Sequence, residues 1–168
     1  MNRNSIIIND WSKIRLERVA AGTITPGMLL EINSDDKVVA HNSAGADVAP
    51  ILFALEDGFQ GNDIHDDYSA LDRVQVMLCR PGDEVQAILD DGQDISIGDL
   101  LESNGNGQLV KFANDTIHTD SDDSTGFTAY TRVIVGQAIE AVDTSESSAV
   151  SSGDSGIGYS KRILIRIV

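Results

Sequence analysis

Apolar and polar residues alternate with a period of two along most of this chain. In RVQVMLC, Val74, Val76 and Leu78 fall on one face, with Gln75, Met77 and Cys79 on the other. In EVQAIL, Val85, Ala87 and Leu89 alternate with Glu84, Gln86 and Ile88. RVIVGQAIEAV places Val133, Val135, Ile139 and Ala141 on one face, and KRILIRIV turns Ile163, Ile165 and Ile167 away from Arg162 and Arg166. This spacing predicts half-buried strands, because successive side chains of a strand point to opposite faces. DWSKIRLERVAAG fits the same pattern, with Ile14 and Leu16 set against Lys13, Arg15 and Glu17.

Turn-forming residues punctuate these runs. Ser34-Asp35-Asp36, Asp90-Asp91-Gly92 and Asn104-Gly105-Asn106-Gly107 read as hairpin connectors, since Gly and Asn accept positive φ at little cost. Pro26-Gly27 and Pro81-Gly82 read as tight turns. One short helix is expected in NDIHDDYSALD, where Asn62 or Asp63 would cap a turn or two carrying Ile64, Tyr68 and Leu71. Residues 113–131 and 143–160 are rich in Ser, Thr, Asp and Gly and read as two long polar loops. The predicted fold is mainly β: a compact β-barrel or β-sandwich of short antiparallel strands, with at most one or two short helices. Its parts are a basic segment over 1–20 and a β-rich body over 21–168.

Composition adds limits. At 168 residues and 41% hydrophobic content the chain suffices for one ordinary core, built mostly from aliphatic side chains because aromatics are only 5%. No apolar run approaches a membrane-spanning length, and the three isoleucines of MNRNSIIIND are too few for a secretory signal. A single cysteine, Cys79, excludes an internal disulfide. Twelve Lys and Arg against 27 Asp and Glu give a net charge of −15, which repels phosphate backbones and argues against nucleic-acid binding. The ends differ from the body. Arg3, Lys13, Arg15 and Arg18 outnumber Asp10 and Glu17 in the first stretch, and Lys161, Arg162 and Arg166 close the chain without an acid.

Several chemical motifs fail on context. Gly153-Asp154-Ser155-Gly156 matches the surround of a chymotrypsin-like nucleophile, and His41 with Asp63, Asp66 or Asp67 gives the right order. A serine protease, however, needs further strands after its serine to build the pocket and support the oxyanion hole. After Ser155 there is little beyond the final strand, so it reads as a loop serine. Asp115, Asp120, Asp122 and Asp123 cluster, yet counting from Asp120 puts Ser124 in the fifth place and Thr131 where an EF-hand needs Glu. His41, His65 and His118 lack partners at zinc spacing and are expected at the surface. Gly105-Asn106-Gly107 lies between strands and is not a dinucleotide loop. Cys79 reads as a packing residue. No catalytic residue, metal ligand or cofactor is expected.

A series of phrases carries more than any one motif. ITPGMLLEI (24–32), APILFALED (49–57) and QGNDIHDDYSALDRVQV (60–76) are followed by RPGDEVQAILDDGQDISIGDLLESNGNGQLVKF (80–112), VGQAIEAVD (135–143) and RILIRIV (162–168). In this order they resemble tailed-bacteriophage capsid decoration proteins, also called cement or head-stabilising proteins. The resemblance runs from about Arg15 to Val168, interrupted by the two polar loops and not reaching the first dozen residues. It implies a virion protein without enzymatic activity, made in the host cytoplasm and bound to the outer surface of an expanded head. Its partner would be the major capsid protein, and it would act as a homo-oligomer, a trimer being favoured, with no nucleic acid or membrane bound. On that reading Arg3, Trp11, Lys13, Arg15 and Arg18 are candidate capsid or subunit contacts, since Trp and Arg dominate interface energetics. The alternative is a carbohydrate- or host-surface-binding β module displayed on the virion.

Overall fold

The alternating runs become two β systems that share one wall, seen in a computed structural model that describes residues 5–10, 14–46, 48–113, 132–145 and 162–168. The first system is a closed barrel of β2 (Ile14–Ala20), β4 (Lys37–Ala40), β3 (Leu29–Ile32), β5 (Leu52–Ala54) and β6 (Arg73–Leu78). The second is a sheet ordered β1 (Ile7–Asn9), β7 (Glu84–Ile88), β13 (Arg162–Ile167), β11 (Ile134–Ala138), β9 (Leu100–Ser103) and β10 (Leu109–Lys111). A short pair, β8 (Asp94–Ile95) with β12 (Val142–Asp143), stands apart. The mainly β expectation holds, and no helix occurs among the described residues.

Pairing is antiparallel except where the barrel closes, at β2 on β4. Five strands of alternating direction cannot close without one parallel contact. The second system repeats the device. A parallel bridge between Leu89 and Leu109, with Asp90 N–H donating to Leu109 O at 2.8 Å, curls β10 back to the end of β7.

Three barrel strands, β3, β5 and β6, have two apolar faces because they border two cores, whereas β2 and β4 face only the barrel interior. Leu30, Leu52, Ala54, Val74 and Val76 fill the barrel interior with Ala20, Ile24, Val38 and Tyr68. Their alternating neighbours Leu29, Phe53, Leu55, Met77 and Cys79 belong to the larger core, with Val85, Ala87, Leu101, Val135, Ile163, Ile165 and Ile167 of the sheet. A strand buried on both sides reads as near-continuous apolar sequence, as ILFAL does.

Three local expectations are corrected. No helix forms over 62–71: Tyr68 pairs with Ile24 through N–H···O bonds of 2.8 and 3.0 Å, extending the barrel wall and leaving the backbone unavailable for helical bonds. Asp90–Gly92 does not close a hairpin, because β8 pairs with β12 and Thr144 Oγ1 accepts the Gln93 N–H at 2.8 Å. In β11 the inward phase slips at a bulge between Ile134 and Gly136. Ala138 is therefore buried, while Ile139 is only half-buried and Ala141 is exposed. An extra residue in one strand inverts every face beyond it. The Ser34–Asp36 and Asn104–Gly107 connectors do join paired strands, β3 with β4 and β9 with β10.

Candidate functional site

The candidate contact residues of the basic segment divide. Arg3, Trp11 and Lys13 lie outside the described residues. Arg15 and Arg18 sit on β2, which pairs antiparallel with β6 along six register pairs, both arginines included. Exposed Arg15 comes within 3.9 Å of Asp10, and Arg18 Nε within 3.5 Å of Asp36. Both guanidiniums thus have carboxylates of the same chain nearby. The segment is also fastened to the body: Ile6 is buried, its N–H donates to Glu56 Oε2 at 3.0 Å, and Ser5 Oγ–H donates to Glu56 Oε1 at 2.6 Å.

His41, expected at the surface, is buried. β4 ends on it, its N–H donates to Leu29 O at 2.9 Å, and its carbonyl accepts the Gly107 N–H at 3.0 Å. Its Nδ1 lies 2.7 Å from Ser103 Oγ, which also accepts the Gly105 N–H at 3.1 Å. A Ser–His contact of this length invites comparison with a nucleophile and its base. Ser103, however, is equally buried and occupied by the hairpin backbone, so no substrate carbonyl reaches it. The pair instead pins the β9–β10 hairpin to the barrel. Gly107 permits the approach: at φ +73°, a Cβ there would lie 3.0 Å from Ala40 Cβ and 3.1 Å from Leu29 O. His41 also lines an open groove of about 380 Å³ with Leu30, Glu31, Ile32, Asn42 and Pro50. Ser155 and the Asp115–Asp123 cluster lie outside the described residues.

Cys79 has the packing role expected of it. Burial, reinforced by the negative charge of Asp83, pushes its thiol up to about 12, so the nucleophilic thiolate is absent at neutral pH. Among the described residues no group of three His, Cys, Asp or Glu side chains is placed to hold a metal ion.

The most unusual surface is the β5–β6 connection, residues 55–72. It is held from beneath. Ile64 and Tyr68 are buried, and Tyr68 O–H donates to Leu55 O at 2.7 Å. Burial, with smaller contributions from Asp57 and Glu56, pushes the Tyr68 phenol up to about 12, keeping this donor protonated. Arg162 crosses from β13 with its guanidinium buried, donating to Ile64 O and to Pro26 O. The turns above are closed by their own aspartates. Asp63 accepts the His65 N–H at 2.7 Å, Asp66 the Asp63 N–H at 2.8 Å, and Asp72 the Ser69 N–H at 2.7 Å. On this fastened frame Phe59 is 101% exposed and Leu71 is 72% exposed, the latter at φ +77°. Sequence reasoning missed both. It also aimed Arg162 away from the isoleucine core without foreseeing its burial. A phenylalanine between Gly58 and Gln60 gives no periodic signal, and an arginine opposite a core face ordinarily faces water.

The sequence matches no protein-family model and no curated protein. Among solved structures, the N base of head fiber gp8.5 of bacteriophage phi29 is similar in chain trace, with a TM-score of 0.49 and 14% sequence identity over 92% of this chain and 93% of that one. A likeness of this degree assigns no role.

Proposed function

We propose that this protein is a capsid decoration protein: it binds the outer surface of an expanded phage head and stabilises it by bridging capsomers. The major capsid protein is its partner, a homo-oligomer, with a trimer favoured, is its working form, and it performs no chemistry. The observation that carries this reading is the set of six phrases, in family order, that resembles decoration proteins. Those phrases coincide with structural joints: the Pro26–Gly27 turn with β3, β5, the 55–72 connection with β6, the run from β7 to β10, β11 with β12, and β13. The two β systems share a core and so present a stiff body, which suits a clip that resists displacement. A net charge of −15 keeps free copies off DNA and keeps a densely coated particle soluble. Several subunits gripping together convert modest single contacts into slow release.

Co-sedimentation tests this. Heads of the phage that encodes the protein, expanded but prepared without it, should carry it down stoichiometrically and then withstand heating longer. Protein left in the supernatant at micromolar concentration would overturn the reading, and glycan-dependent binding in its place would favour a carbohydrate module.

A further inference from the structure

We propose that the β5–β6 connection is the face that docks on the capsid shell, with Phe59 as anchor and Leu71 a second exposed apolar residue of the same connection. The inference rests on the decoration reading and names its contact surface. Three observations converge on it.

Phe59 at 101% exposure leaves the whole ring in water, and Leu71 at 72% adds a second apolar side chain. Scattered surface apolar residues are ordinary, but a fully exposed aromatic on a fastened connection is the side-chain type and setting of an interface hot spot. Leu71, moreover, holds a left-handed backbone (φ +77°) that costs a bulky residue about 1 kcal/mol or more, although Gly or Asn would hold it freely. Its N–H is committed to Ala20 O at 2.9 Å, so the conformation is built into the barrel wall. A strained, exposed leucine is explained by a requirement for its side chain.

The frame is ordered before any partner arrives. Asp57 O accepts both Gln60 N–H and Asn62 N–H at 3.1 Å around Phe59, and Arg162 and Tyr68 hold the base from below. Docking then orders little backbone, which lowers the entropic cost of binding.

Charge selects the occupant. Within residues 56–72 the exposed charged side chains are Asp63, Asp66, Asp67 and Asp72, and the segment has no Lys or Arg. A second copy of this chain, at −15, meets that face with net repulsion, and so does a nucleic acid. The fitting partner is a protein surface with an apolar pocket rimmed by Lys and Arg, here on the shell subunit.

Phe59→Ser and Asp66→Asn/Asp67→Asn variants, titrated onto expanded heads lacking the protein, test the assignment. Wild-type binding should weaken as salt is raised. Phe59→Ser should raise the apparent Kd roughly 10- to 100-fold with unchanged thermal unfolding. The double Asn variant should bind several-fold more weakly and with a shallower salt dependence. Wild-type affinity in Phe59→Ser overturns the docking face while leaving the decoration reading standing. Wild-type protein that ignores heads overturns both. A change of oligomeric state in Phe59→Ser, measured by sedimentation equilibrium, overturns the shell as occupant and makes the face a subunit contact.

Discussion

The β9–β10 hairpin and the β5–β6 connection are fastened by the same chemistry and end with opposite surfaces. In the hairpin, Asn104 Oδ1 accepts the Asn106 N–H at 2.8 Å and the Gln108 N–H at 3.2 Å, while Ser103 Oγ takes the Gly105 N–H. In the connection, Asp63, Asp66 and Asp72 do the same work for their own turns. The hairpin folds down onto His41 and Leu29 through the backbone of its own Gly107, and buries Ser103, Gly107 and Leu109. The connection buries Ile64 and Tyr68 and leaves Phe59 and Leu71 in water. Side-chain-to-backbone bonds therefore account for order in both, but not for which surface each shows. A stiff loop that keeps apolar groups outside resembles half of an interface, and one that hides them completes the body.

The largest blow to the comparison is removal of the support beneath the connection. Arg162→Met strips the donors from Pro26 O and Ile64 O and should cost about 3 kcal/mol or more, read by denaturant unfolding. Next, Gly107→Ala should destabilise the hairpin side by about 2 kcal/mol, because the residue is held at φ +73° with Ala40 and Leu29 in the way. A loss of unfolding free energy below a quarter of that would mean the hairpin is only loosely applied to the barrel.

Alkali gives a graded test. Folding raises Cys79 from 9.0 and Tyr68 from 10.0, each to about 12, so the unfolded chain releases these protons first. The stabilisation they represent is complete below about pH 9 and declines as pH rises toward 12. Unfolding free energy followed from pH 8 upward should fall across that window, and native Cys79 should resist alkylation at its lower edge. The smallest expected effect sharpens the contrast most. Phe59→Ser should change stability by less than about 0.5 kcal/mol, since the ring touches nothing that folding needs. A larger loss would mean the ring packs within the chain.

Much of the fold was legible because burial of one strand face leaves a period of two, as in β6, β7 and β13. The 62–71 segment misled because Ile64, Tyr68 and Leu71 recur at helical spacing. Only the partner strand at Ile24 fixes Tyr68 as extended, and that contact is remote in sequence. The β11 pattern misled because Gly136 hides a bulge that appears only against β9. Of the candidate contacts, Arg15 and Arg18 were visible as basic residues on a strand, but Asp10 and Asp36 beside them were not. His41 looked exposed because Asn42-Ser43-Ala44-Gly45 is turn composition, yet the turn is covered by a hairpin some sixty residues later (Ser103, |i−j| = 62).

The residues alone determined strand periodicity, the turn positions that Gly and Pro require, the acidic surface and the lack of a disulfide. Each is a local or additive property, readable without knowing what lies nearby. Tertiary structure decided the two shared cores, the parallel closures, the burial of His41 and Arg162, and the exposure of Phe59 and Leu71. These depend on which distant segments meet, and the free energy of such meetings is written in pairs of residues rather than in any single run.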